Sequence, residues 1–187
     1  MQSATKNKPQ SATPPYKKRP ARVITAEYLE KAALFYLQRY ASSRENVRKV
    51  LMRRLMRAGV DRDPNCLAMV AAVIEKLGAR GLLDDRNYAW HRIQSLTQSG
   101  KSWRRIEAHL QSKGVSREDI EAALEKLRDD DPDMEWNAAM KFARRKKIGP
   151  FRTREVSDPA RELRQLAAAG FSYSMAKKII DTDIDND

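Results

Sequence analysis

LMRAGVDRD at residues 55–63, LQSKGVSRE at 110–118 and LAAAGFSYS at 166–174 are one phrase written three times. Gly59, Gly114 and Gly170 recur at steps of 55 and 56 residues, each with a leucine four positions ahead: Leu55, Leu110 and Leu166. A glycine just after an amphipathic run is the usual residue past a helix C-terminus, because it enters left-handed backbone without a Cβ clash. The polar residue that follows starts another helix. Self-similarity at this period is the signature of a repeated structural unit. The search therefore moves from a catalytic pocket to a repeated surface.

Working outward, residues 1–24 are rich in Pro, Ser, Thr and Lys with almost nothing to bury, and read as a disordered basic tail. From Thr25 the pattern is helical almost without interruption. Thr25 and Glu27 open a first helix with Leu29, Ala32, Ala33, Tyr36 and Leu37 on its apolar face. Ser42 with Glu45 makes a capping box for a second, which carries Val47, Val50, Leu51 and Leu55. Pro64 suits the first turn of a third, with Leu67, Val70, Val73, Ile74 and Leu77 inward. The three beats repeat with starts at Asp84 or Asp85, Ser102 and Ser116. They come again after the acidic joint Asp129–Asp131 and Pro132, with apolar positions from Trp136 to Ile180. Strand-type alternation never persists.

The expected fold is all-α: tandem three-helix repeats, three units and about nine helices, in an elongated, curved array. The units span 25–82, 83–130 and 131–180, followed by an acidic C-terminal tail at 181–187. Each triplet is small. At roughly 1.5–3 kcal/mol per fully buried large side chain against about 1–2 kcal/mol per ordered backbone residue, one unit alone is marginal. Stability must come partly from contacts between successive units.

The chain has 187 residues and a formal charge of +12. Setting aside six positive charges in residues 1–24 and four negative ones in 181–187 leaves +10 on the residues between. The folded part is itself basic, which argues for a polyanionic partner or surface. The single cysteine, Cys66, excludes an intramolecular disulfide and reads as a small core residue on a helical face. No apolar run approaches the roughly 18 residues of a membrane span, and the N-terminus lacks the apolar core of a secretion signal. A cytoplasmic location without membrane contact is expected.

Catalytic chemistry finds little support. His91 and His109 have no Cys or second His at a metal-ligand spacing, the seven glycines are isolated, and no Ser or Cys occupies a nucleophile elbow. Asp84 and Asp85 are better read as helix caps than as an acid–base pair. Neither cofactor nor metal is expected. The stronger signal is basic. Arg53, Arg54 and Arg57 share one helix; Arg104 and Arg105 hold a comparable place in the second unit, beside Trp103. Arg144, Arg145, Lys146 and Lys147 end the seventh helix, with Arg152 and Arg154 soon after. Any one cluster is equally read as a solvated face, or as cations answering a helix C-terminus. Three clusters on repeated units favour a binding surface. Arg outnumbers Lys in them, which suits bidentate pairing with carboxylate or phosphate. Trp90, Trp103 and Trp136 read mainly as packing groups, with base stacking the minority case.

The stretches ALFYLQR (33–39), GLLDDRNYA (81–89), RRIEAHLQSKGV (104–115), IEAAL (120–124) and LAAAGF (166–171) together resemble the RecX family, small bacterial regulators of the RecA recombinase. The likeness covers about residues 26–180, and the segment around Asp84, Asp85, Tyr88 and Ala89 is its most specific part. It implies a curved, modular protein of three-helix repeats that binds the RecA–DNA filament along its groove and restrains recombinase and ATPase activity. It also implies no chemistry of the protein's own. The long basic N-terminal tail, the acidic C-terminal end and the stretched third unit (IGPFRTREVSDP, 148–159) depart from the pattern. On this reading the partners are the RecA filament and, more weakly, DNA. A monomer is expected, since each unit has a neighbour in its own chain. The alternative is a stand-alone helix-turn-helix-like DNA-binding protein in which Arg104 and Arg105 open a groove-reading helix.

Overall fold

The structure, a computed structural model, describes residues 23–153 and 158–182. Most of the two expected tails therefore lies outside the described residues. Among those residues the chain forms nine α-helices and no strand. The first unit holds α1 (Ala26–Leu37), α2 (Arg44–Ala58) and α3 (Pro64–Ala79); the second holds α4 (Asp85–Gln98), α5 (Trp103–Ser112) and α6 (Arg117–Asp130). The third holds α7 (Met134–Lys146), a 3₁₀ turn at Gly149–Phe151, α8 (Pro159–Ala168) and α9 (Tyr173–Ile180).

Local chemistry explains most of the boundaries. Thr25, Asp63, Asp84, Ser102, Ser116, Asp158 and Ser172 each accept a hydrogen bond from a backbone N–H in the first turn of the helix they precede. The three repeated glycines adopt φ of +72°, +77° and +91°, as a helix-terminating residue in left-handed backbone must.

Two sequence expectations are corrected. The cap of α2 is Ser43, not Ser42: its extended backbone stands directly before the helix, and its Oγ accepts from Asn46 N. Ser42 Oγ instead accepts from Asn46 Nδ2, and Glu45 pairs with Arg48 and Lys49 rather than closing a capping box. Leu67 is 39 % exposed rather than inward. The buried stripe of α3 runs through Cys66, Val70, Val73, Ile74 and Leu77, and a residue one place off turns about 100° from it.

The buried side chains gather in three clusters. One is built on Leu29, Leu51, Leu55 and Leu77, a second on Ile93, Ile106, Leu110 and Leu124, and a third on Phe142, Leu166, Phe171 and Ile179. In the third unit the 3₁₀ turn folds against α9. A Cβ on Gly149 would lie 2.5 Å from Ile179 O, so only glycine permits that approach.

The units are joined by a contact made twice. Ser43 Oγ donates to Lys113 O at the end of α5, and Ser102 Oγ donates to Ala169 O at the end of α8. Asp85 of α4 accepts from Arg44 N, the first N–H of α2; Glu135 of α7 accepts from Trp103 N, the first N–H of α5. The middle helices thus follow head to tail, α8 to α5 to α2. Each N-terminus meets the C-terminus of the next unit's middle helix, which satisfies orphan backbone groups and aligns the helix dipoles favourably. Both serines are fully buried and fully used. No hydrogen bond joins the first unit to the third among the described residues, so the units form an elongated series.

Candidate basic interface

The basic residues singled out from the sequence divide by what the fold does with them. Arg53, Arg57, Arg104, Lys146 and Lys147 are exposed, and their side chains make no hydrogen bond or ion pair to another described residue. Arg54 is half-buried, its Nη1 donating to Tyr28 Oη at 3.3 Å and its guanidinium lying over the Tyr28 ring. Arg144 lies over the Phe151 ring at 4.9 Å, with its remaining face open to solvent.

Two arginines have a second task. Arg105 Nη2 donates to Ala168 O at 2.7 Å, and Arg145 Nη1 to Ser99 O at 3.4 Å. Each answers the C-terminal carbonyls of a helix in the neighbouring unit, the dipole-answering role extended from within a helix to between units. Lys49, on Ser112 O, and Lys141, on Gln98 O, do the same and were not singled out from the sequence. No local pattern marks them, because their targets are 63 and 43 residues away.

Arg152 is placed differently. Its Nε and Nη2 donate to the two Glu162 oxygens at 2.8 and 2.7 Å, forming a half-buried fork that ties the 3₁₀ turn to α8. Burial works to raise the Glu162 carboxyl, but the Arg152 fork and Gly149 N–H outweigh it, and the pKa lies below the ordinary value. Arg154 lies outside the described residues.

Charge compensation divides the cations into two sets. Glu30 pairs with Lys76 and Arg80, while Glu45 pairs with Arg48 and Lys49. By contrast, Arg53, Arg54, Arg57, Arg104, Arg105 and Arg144–Lys147 have no carboxylate within ion-pair distance among the described residues. Uncompensated cations recur on all three units.

Each tryptophan is covered by a cation from the third helix of its unit: Lys126 over Trp90, Arg128 over Trp103 and Lys178 over Trp136, at 4.7–5.2 Å. With one face so taken and the rings half-buried or buried, they serve packing and cation–π contact. Cys66 is buried, and burial raises its thiol pKa, in keeping with a core role. Burial, with Arg92, Lys113 and Lys101 nearby, lowers the His109 pKa, so the ring is neutral at pH 7.

The N-termini available to a DNA groove are limited. The starts of α2 and α5 are covered by the following unit, and those of α3 and α6 carry Asp63 and the pair Glu118 and Asp119. No helix of the described residues is long and apolar enough to cross a membrane.

A chain of three-helix units joined in series, with uncompensated cations on each, is a modular helical-repeat protein. Comparison with known proteins agrees on the fold and supplies the family. Residues 84–124 match the family profile described as RecX, second three-helix domain. The regulatory protein RecX of Myxococcus xanthus is 41 % identical over 174 residues, covering 89 % of this chain and 90 % of that one. The protein of the same name from Agrobacterium fabrum is 33 % identical over 153 residues, 80 % of this chain and 79 % of its own. The crystal structure of RecX from Lactobacillus salivarius superposes with a TM-score of 0.61 at 23 % identity, over 83 % of this chain and 94 % of that one. The chain belongs to the RecX family of regulatory proteins.

Proposed function

We propose that the chain is a non-enzymatic regulator that binds the RecA–DNA filament and inhibits its recombinase and ATPase activity, modulating DNA repair and recombination in the cytoplasm. The observation that carries this reading is the recurrence of uncompensated cations on three units held in series. A filament is a repeating anionic target, and linked units gain avidity because each later contact forms at high effective concentration. The contacts assigned to it are Arg53, Arg54, Arg57, Arg104, Arg144, Lys146 and Lys147, with Arg105 and Arg145 contributing what their capping roles leave free. Arg152, spent on Glu162, is left out.

A stand-alone groove reader is the weaker alternative. A helix-turn-helix module places the N-terminal residues of its recognition helix against base edges. Here the α5 N-terminus is capped by the third unit and α6 opens on two carboxylates, which repel phosphate.

The test is RecA's DNA-stimulated ATPase with the chain titrated below the recombinase concentration. Loss of turnover at sub-stoichiometric amounts supports a filament regulator. Unchanged turnover, together with tight salt-sensitive binding to naked DNA, would transfer the assignment to the alternative.

A further inference from the structure

Between the first and second units lies an open cleft of about 830 Å³ whose role the basic faces do not explain. The two sequence stretches ALFYLQR and GLLDDRNYA form its opposite walls. The lining is largely apolar, with Leu34, Leu37 and Tyr40 on one side and Leu82 and Tyr88 on the other. Leu82 is 50 % exposed and Tyr40 57 %, so both sides of the opening leave a large apolar group in water. Covering such groups is favourable, because it removes apolar surface from water.

The charges around this cleft are one-sided. Arg39, Arg92 and Lys113 line it, and none has a carboxylate within ion-pair distance among the described residues. Of the three, Arg39 also lies over the Phe35 ring at 4.4 Å. The one lining carboxylate, Asp84, is engaged in capping α4 through Asn87 N. Three cations without a carboxylate partner favour an anionic occupant, while the apolar walls favour a bulky apolar one.

We propose that this inter-unit cleft receives an acidic segment of the protein partner, anchored by one large apolar side chain between Tyr40 and Leu82, with flanking carboxylates on Arg39, Arg92 and Lys113. A nucleobase fits less well. Leu34, Leu37 and Leu82 offer no flat face for stacking, and the Tyr36 ring is held against Tyr40 at 5.2 Å. The outer face of Tyr40 and the Tyr88 ring remain as flat surfaces, and a crosslink from Tyr40 separates a base from a polypeptide there. Tyr40 and Leu82 belong to the first unit and Tyr88, Arg92 and Lys113 to the second, so an occupant touching both sets spans the two units.

The source of the segment rests on the filament reading, so the test uses the full chain with RecA on single-stranded DNA. Tyr40 is replaced by the photo-crosslinker p-benzoylphenylalanine, the complex irradiated, and the adduct mapped by mass spectrometry. The expected adduct is on recombinase polypeptide, at a stretch where an apolar side chain is flanked by Asp or Glu. In parallel, Leu82→Asp is expected to raise the concentration for half-inhibition of the ATPase about tenfold or more, since it removes apolar contact and places a like charge. Tyr173→Asp, an exposed apolar site in the third unit, is expected to inhibit like the unsubstituted chain, and circular dichroism checks that both variants are folded. An adduct on the oligonucleotide, absence of an adduct while inhibition persists, or wild-type potency of Leu82→Asp would each overturn the proposal. If the unsubstituted chain failed to inhibit at all, the filament reading would fall first and this proposal with it.

Discussion

Gly59, Gly114 and Gly170 look alike in sequence but differ in what surrounds them. All three need left-handed backbone. A Cβ on Gly59 would meet nothing within 4 Å, one on Gly114 would collide with the Glu45 side chain, and one on Gly170 would lie 2.5 Å from Ser102 Oγ. Gly59→Ala is therefore expected to lose only the conformational term, about 1–2 kcal/mol. Gly170→Ala also displaces the serine that caps α5 and joins two units, adding roughly 1 kcal/mol or more. Urea unfolding of both variants checks the order; equal midpoints would show that the contact carries no energy. Asp85 gives a second prediction at this scale. Burial raises its carboxyl pKa, and the bond from Arg44 N only partly offsets this. A raised value means that the folded chain keeps a proton the unfolded chain has released. That contribution is present in full below the ordinary aspartate value of about 3.9 and is lost as pH rises through the folded value. Asp85→Asn keeps an acceptor for Arg44 N and is expected to remove this slope, so that melting at pH 7 comes no earlier than in the unsubstituted chain. Earlier melting would mean that the charge itself stabilises the joint.

At the scale of elements, the head-to-tail run of α8, α5 and α2 depends on caps that serve two helices at once. A cap is ordinarily legible as a polar residue before an amphipathic run, and Ser102 is legible in that way. Its second bond, to Ala169 O, spans 67 residues and has no local signature. The stretched third unit shows the same division. In sequence, residues 148–159 are an interruption; the fold turns part of it into a strut through Arg152 and Glu162. The lowered Glu162 pKa places its stabilising effect above the ordinary glutamate value of about 4.3, to be lost as pH falls through the folded value. Glu162→Gln is expected to destabilise the chain by about 1–3 kcal/mol at pH 7, with the difference closing in acid. A series of thermal melts from pH 7 downward tests this, and a gap of constant size across the series would point to packing instead.

For the whole molecule, the decisive quantity is which cations remain uncompensated once the fold has used the others. Lys146 and Lys147 are the cleaner probe of the third unit, because Arg145 also caps α4. Lys146→Gln with Lys147→Gln is expected to weaken filament inhibition several-fold, at a stability cost of about 0.3–1 kcal/mol for each cation lost from the α7 C-terminus. If these lysines meet phosphate, the log–log salt slope for single-stranded DNA should also fall by about 0.7 for each phosphate no longer neutralised. Unchanged inhibition would remove this cluster from the interface.

The helices, their number, most of their caps and the three-fold repeat were legible in the sequence because they follow from neighbours a few residues apart. Ser, Thr or Asp stands before an amphipathic run, leucines recur at helical spacing, and a glycine ends the turn. Net basic charge was legible for the same reason, as a property that needs no coordinates. The tertiary structure alone decided which arginines take on a second task within the fold: Arg105 on the end of α8, Arg145 on the end of α4 and Arg152 on Glu162. It also decided that two walls separated by dozens of residues enclose one cleft. Capping, ion pairing and enclosure between units depend on distance in space, and periodicity along the chain carries no information about which helix end arrives beside which side chain.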